Sequence, residues 1–394
     1  MKILIISAVY PPPYVGGYEL ACKDIAEGLA NRGHDVIILT SSYEMRREAA
    51  YNENVKRELN FFLEIQFDRF DIRGKVKAYF FDWRNYRSTI RQIKQFQPDV
   101  VYIWSLSWVS PLSILLASYQ SGAPVVFHIM DWWLLGLTKP QKWSFASAII
   151  KVLARFLTRR AHLIIMSNFL KNKYLANDYK QDRLHVIYHG ISNELRNHME
   201  KSDSLPTFLF VGRLIHDKGL HVALHALRIV IDQLQDESIT LDIVGTGDWN
   251  YTAHLKDEIT KLRLGENIRF LGFLPRQDVV SLYSRYTALI FPSLWEEPFG
   301  ITIIEAMAAG IPVIASDLGG PAEIITNERT GLLFPAGNAR MLANNMCTVV
   351  RNESVRNQIT MSAKNMVLSK FSLRKSVIDI EACLKNIYHL SRET

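Results

Sequence analysis

Cysteine is scarce in this 394-residue chain: there are three, Cys22, Cys347 and Cys383, far apart and without a CxxC spacing. An odd, scattered set fits neither a disulfide framework nor a thiolate zinc site, so a reducing compartment is expected. With 20 glycines and 14 prolines, a collagen-like or linker-dominated chain is excluded as well. Long apolar runs are also missing. Between Gln95 and Leu137 the charged residues are Asp99 and Asp131, yet Pro111, Gln120, Gly122, Pro124 and His128 interrupt the stretch. It is too broken for a spanning helix, which needs about 18 apolar residues, and reads as strand, helix, strand. The apolar start Ile3 to Tyr10 runs into Pro11–Pro13 and Tyr14 rather than a small-residue cleavage site, and is expected to be a buried strand.

What is present is a folded-protein composition, 48% hydrophobic and 22% charged, at a length that predicts two domains. The net charge of +7 is uneven: residues 1–195 hold 25 Lys+Arg against 17 Asp+Glu, and the rest hold 21 against 22. A basic front half points to an anionic partner: membrane headgroups, a phosphorylated acceptor or nucleic acid. Short β-branched runs alternate with helical patterns, from Ile3–Ser7 and Tyr18–Arg32 through to His162–Met166 and Leu184–Tyr188. After a polar linker, Asn193–Ser204, the alternation restarts at Phe208–Val211 and continues to Val313–Ala315. Runs apolar on both faces are those of parallel sheets covered by helices. The expected architecture is α/β, with two Rossmann-like doubly wound domains facing a shared cleft. The expected boundaries are residues 1–195 and 205–371, with the amphipathic segment 372–394 packing back on the N-terminal domain.

Several loops suit a phosphate. PPPYVGGY (Pro11–Tyr18) places Gly16 and Gly17 ahead of the first helix, where backbone amides can approach an anion. It lacks the Lys-Ser/Thr of a P-loop. VGRLIHDKGL (Val211–Leu220) puts Gly212 at a strand end and lets Arg213 and Lys218 converge on a pyrophosphate, though two solvated cations are the plainer account. Asn250 stands where IVGTGD would need a third glycine for a dinucleotide fingerprint, so Gly245 and Gly247 are weak evidence for NAD. In FPSLWEEPFGITIIEAMAAGIPVIAS, a loop with Glu296, Glu297, Pro298, Phe299 and Gly300 opens a helix at Ile301 that carries Glu305. Amides at that helix start can meet a phosphate or sugar hydroxyl, Glu305 a diol, and Glu297 a sugar hydroxyl or a developing positive charge.

Taken in order, these segments resemble the retaining nucleotide-sugar glycosyltransferases of the family-four class, with the GT-B fold. The likeness rests on the Gly16-Gly17 loop, SNFLKNKYL at Ser167 and VIYHGIS around Gly190. It continues with the pairs Gly212-Arg213 and Lys218-Gly219, the GxG of Gly245 and Gly247, LGFLP at Leu271–Pro275, and the glutamate–seven residues–glutamate motif at Glu297 and Glu305. The resemblance implies transfer of a sugar from a nucleotide diphosphate donor to a hydroxyl acceptor in glycan, glycolipid or polysaccharide synthesis. It implies no cofactor and no metal, in line with the lack of a DxD pair in a suitable loop. Arg213 and Lys218 would neutralise the diphosphate, and Glu305 would bind the ribose. Glu297 with the amides of Phe299, Gly300 and Ile301 would hold the sugar. Gly16, Gly17, Gly212 and Gly245 would meet the donor, and the turn Gly272, Phe273, Leu274 would take the base. Where the family carries His-Asp after a strand, Met130 precedes Asp131; His128, two residues earlier and on the same side of a strand, would substitute or be a core residue. The other readings are a different GT-B enzyme, such as a sugar-nucleotide epimerase or phosphorylase, and a non-catalytic nucleotide-sugar binder. Lys139–Arg160, with interleaved Trp143, Phe145 and Phe156, and Arg69–Lys94 suit a cytoplasmic protein lying on the inner face of an anionic membrane. A solvated basic helix face is the alternative. No nucleic-acid module is recognised.

Overall fold

The structure, a computed structural model, describes residues 1–12, 16–42, 54–62, 81–107, 109–138, 145–191 and 206–393. Outside the described residues lie Pro13–Val15 of the first glycine loop, the linker at 193–204, residues 69–80 and residues 139–144. The chain divides into two compact units, Met1–His189 with Leu373–Thr394, and Gly190–Ser372.

In the first unit the strands are β1 (Lys2–Ile6), β2 (Asp35–Ser41), β3 (Val55–Leu59), β4 (Val100–Ile103), β5 (Val125–Ile129), β6 (His162–Ile165) and β7 (Leu184–Val186). They pair in parallel in the order β3-β2-β1-β4-β5-β6-β7. Every residue of β4 and β5 is buried, which is why these segments read as unbroken apolar runs. The helices are α1 (Gly17–Ala30), α2 (Trp83–Phe96), α3 (Pro111–Tyr119), α4 (Trp133–Thr138), α5 (Phe145–Arg160) and α6 (Asn168–Leu175). The strand order reverses between β1 and β4, so right-handed crossovers send α1 to one face and α2, α3 and α5 to the other. Side-chain bonds lace that second layer. Tyr86 of α2 donates to Gln120 beyond α3 (2.7 Å), and Tyr119 of α3 donates to the Leu157 carbonyl of α5 (2.6 Å).

The second unit repeats the plan with β8 (Thr207–Val211), β9 (Thr240–Val244), β10 (Ile268–Gly272), β11 (Ala288–Phe291), β12 (Val313–Ser316) and β13 (Leu332–Phe334). Their order is β10-β9-β8-β11-β12-β13, all parallel. Helices α7 (Leu220–Leu234), α8 (Trp249–Lys261), α9 (Arg276–Leu282), α10 (Ile301–Ala309), α11 (Gly320–Ile324), α12 (Ala339–Arg351) and α13 (Glu353–Lys370) cover it. A core of Phe208, Leu241, Ile243, Leu227 and Met346 fills the space between sheet and helices.

Helix α14 (Leu373–Glu393) belongs to the first unit, against α1. Its apolar stripe, Val377, Ile380, Leu384 and Ile387, is buried. Gly28 on α1 permits the approach, since a Cβ there would lie 2.5 Å from Val377 Cγ2. Glu381 anchors the pairing by accepting from Lys385 (2.6 Å), His34 (3.0 Å) and Arg32 (2.5 Å). These donors, Lys385 foremost, hold its carboxyl down at about 2, against an ordinary 4.5. A depressed carboxyl contributes stability that is fully present above its unfolded value and lost as pH falls through its folded value. Urea titrations of the wild type and Glu381→Gln should therefore differ most above pH 5, with the gap closing as pH drops from 4.5 towards 2. A gap constant over that window would exclude this linkage.

Candidate functional site

In doubly wound sheets, ligands bind beyond the carboxyl ends of the strands, where the strand order reverses. In the second unit that point lies between β8 and β11. Lys218 follows β8 and Glu297 follows β11, and the structure brings their side chains together as an ion pair. Glu297 is 7% exposed and also accepts from Ser293 Oγ at 3.0 Å. The Lys218 ammonium lies 5.9 Å from the centre of the Phe291 ring. The acid is thus held from two sides while the lysine keeps further N–H donors for an anion. Arg213, on the same loop, is exposed, and among the described residues it makes no ion pair.

Backbone close approach explains the glycines here. A Cβ on Gly245, which has φ of +134°, would sit 1.9 Å from the Gly212 carbonyl oxygen, and one on Gly247 would sit 2.3 Å from that of Leu214. The loops after β8 and β9 are knit by Leu214 N–H to Thr246 O (2.9 Å) and Asp248 N–H to Leu214 O (2.8 Å). The face of Gly245 that a side chain would occupy is therefore filled by protein. The missing side chain lets the two loops close on each other.

Around Glu297, Gly320 N–H donates to the Glu297 carbonyl (2.7 Å), and a Cβ on Gly320 would fall 2.4 Å from the Phe299 Cα. The loop carrying the acids is pressed on Gly319-Gly320, a pair the sequence reading passed over. Its signal was visible: adjacent glycines two residues beyond a strand. Gly300 caps α10 with φ of +123°, a conformation open to glycine, and hands the chain into the helix at Ile301. Phe299 is buried and meets Phe371 edge-on, so its ring anchors the loop.

Glu305 lies in the second turn of α10 and is 4% exposed. Its Oε1 accepts from Arg276 Nε at 2.8 Å, and its Oε2 accepts from the Tyr283 hydroxyl at 3.3 Å. Burial, then the charge of Glu305, pushes the Tyr283 hydroxyl well above its ordinary value, so it is a fixed donor. Neither Arg276 nor Tyr283 was singled out from sequence. Arg276 opens an unremarkable helix after LGFLP and Tyr283 directly follows it, and no periodicity marks a side chain chosen to hold a distant acid. At the neighbouring strand end, Gly272 has φ of +72°, and Gly245 N–H donates to its carbonyl at 2.8 Å. Phe273 beyond it is exposed and Leu274 partly so.

In the first unit, Gly16 and Gly17 are exposed at the start of α1, where Gly16 N–H donates to Glu19 Oε2 at 2.9 Å. His128 lies in the interior of the first unit. It is 1% exposed and stacked on Trp104 at 3.8 Å and 3°, with Tyr102 Oη 2.5 Å from Nδ1. Burial, aided by His189, pushes its pKa well below the ordinary 6.5, so the ring is neutral. Of the two readings of His128, partner of the reacting sugar or core residue, the structure matches the core residue: Trp104 covers one ring face and Tyr102 meets Nδ1. Met130 is buried too. Among the described residues no cluster of three or more metal-ligating side chains occurs, and no helix is long and apolar enough to cross a membrane.

Comparison with known proteins agrees with this geometry. The family described as Glycosyltransferase Family 4 matches residues 15–195, and Glycosyl transferases group 1 matches residues 192–366. An uncharacterized glycosyltransferase of Methanocaldococcus jannaschii is 27% identical over 94% of this chain and 95% of its own length. A glycogen synthase of Mycobacterium tuberculosis is 26% identical over 94% of this chain and 91% of its own. Among solved structures, Anabaena HepE in complex with UDP and glucose superposes with a TM-score of 0.74 at 22% identity, covering 98% of this chain and 99% of that one. Two Rossmann-like units, the matched glycosyltransferase families and a Lys218–Glu297 pair seated at the strand ends converge on one conclusion: the chain is a glycosyltransferase of the GT-4 family with the GT-B fold.

Proposed function

We propose that this glycosyltransferase takes a nucleotide diphosphate sugar as donor and passes the sugar to a hydroxyl acceptor with retention at the anomeric carbon. The observation that carries the reading is the Lys218–Glu297 pair, set at the strand-order reversal beside the glycine-capped start of α10. Helix-start amides lack intrahelical partners and favour negative charge, so the first turn of α10 and the two cations suit a diphosphate. Glu305, an acceptor-only carboxylate fixed by Arg276 and Tyr283 in the helix that Gly300 opens, is the acid we assign to a ribose diol. HepE, solved with UDP and glucose, and the glycogen synthase relative support a nucleoside diphosphate donor and a growing glycan as acceptor.

In the reaction, the bond from the anomeric carbon to the diphosphate oxygen breaks and its electron pair leaves with the diphosphate. Lys218, Arg213 and the amides at residues 299–301 stabilise the charge that builds there. Glu297 faces the oxocarbenium-like sugar. The acceptor oxygen forms the new bond on the same face, and its proton passes to the departing phosphate oxygen. Side-chain cations supply the neutralisation, so we read the step as metal-independent and without a cofactor.

A thermal-shift screen over nucleotide sugars tests the donor assignment. A ligand that binds the native state at 100 times its Kd stabilises by about 2.7 kcal/mol. The matching donor should raise the midpoint by several degrees, and its nucleoside diphosphate should do so to a lesser extent. A screen in which no nucleotide diphosphate sugar shifts the midpoint, at concentrations up to the millimolar range, would count against the reading.

A further inference from the structure

Away from the strand carboxyl ends, the first unit carries a second, differently built site. The C-terminal half of α5 and the turn before β7 enclose a groove of about 450 Å³ lined by Val152, Arg155, Phe156, Arg159, Arg160, Lys180 and Arg183. Five of those seven side chains are cations. Asp178 opposes them but is taken by two: it accepts from Arg155 at 2.8 Å and Arg159 at 2.7 Å. The strong positive excess lies among apolar side chains turned outward, Val152 at 67% exposure and Phe156 at 55%. These two are one turn apart on one helix face, where apolar side chains ordinarily turn inward.

We propose that this groove docks the protein on anionic lipid, the guanidinium and ammonium groups taking phospholipid phosphates while Phe156 and Val152 enter the headgroup–acyl boundary. Cations around protruding apolar side chains match the layered chemistry of such a surface. A soluble polyanion fits less well. Arg160 already lies over the Phe156 ring at 5.0 Å, and Val152 is aliphatic, so the pair offers area to acyl chains rather than a stacking platform for bases. The inference is independent of the donor assignment, because the groove sits at the opposite ends of the strands, near the starts of β6 and β7.

The test is sedimentation with vesicles of 30% phosphatidylglycerol in phosphatidylcholine, against pure phosphatidylcholine. The wild type should partition to the first and not the second, and lose binding in high salt. The triple variant Arg155→Ala/Arg160→Ala/Lys180→Ala should bind about 100-fold more weakly, at about fivefold per charge. Phe156→Ser should lose roughly tenfold. Asp178 keeps Arg159 in the triple variant and Phe156 is exposed, so both should melt like the wild type. Equal partitioning of the wild type to both vesicles, or undiminished binding by the triple variant, overturns the proposal. So does a groove-dependent affinity for heparin or RNA without vesicle binding.

Discussion

Lys218→Ala should lower turnover by about two to three orders of magnitude while the donor KM moves little. The size follows from the cost of removing one preorganised donor aimed at developing charge in a water-poor site. The KM-sparing pattern follows because the diphosphate gains charge only as the glycosidic bond breaks, so the lysine matters more in the transition state than before it. Truncation has a second consequence. It leaves Glu297 buried with Ser293 as its remaining side-chain partner among the described residues, and a buried acid stripped of its cation is destabilising. The double variant Lys218→Ala/Glu297→Gln separates the two effects. It should recover melting temperature without recovering turnover, and steady-state kinetics beside a thermal melt reads both. Restored turnover in the double variant would mean that Lys218 acts by holding Glu297 alone.

The opposite kinetic split is expected at Glu305. Glu305→Ala should raise the donor KM by about 10- to 100-fold, with kcat within a few-fold of wild type. A charge-assisted hydrogen bond contributes about 1.5–3 kcal/mol, and the ribose lies far from the breaking bond, so it binds alike in ground and transition states. The same change also leaves Arg276 and the fully buried Tyr283 hydroxyl without their acceptor. Glu305→Gln with Tyr283→Phe provides the control, since the Tyr283 donor is removed together with the charge. If KM for the donor is unaltered in Glu305→Ala, the carboxylate serves only to pin Arg276 and Tyr283.

The alternation of strands and helices was legible because parallel strands buried on both faces leave unbroken apolar runs. The runs Phe208–Val211 and Val313–Ala315 fall within β8 and β12, each one residue short of the strand. What sequence could not show follows equally from physics. Strand β3 is an edge strand with Lys56, Arg57 and Glu58 partly exposed, so it lacks the apolar pattern that marks its neighbours. Strand β13 has three residues, too few for a period. At the site, residue types and loop positions were legible at Lys218 and Glu297, but their pairing is a matter of two loops from β8 and β11 converging. The same limit hid Arg276 and Tyr283 behind Glu305. For His128 the strand period of two gave a side of the sheet; only packing against Trp104 and Tyr102 decides that the ring is enclosed.

The most direct measurement is a crystal structure of the protein with the nucleoside diphosphate that stabilises it. It should place the diphosphate within hydrogen-bond distance of Lys218 Nζ and the amides of residues 299–301, with the ribose hydroxyls on Glu305. A nucleotide bound away from Lys218, with the Lys218–Glu297 pair untouched, would contradict the account.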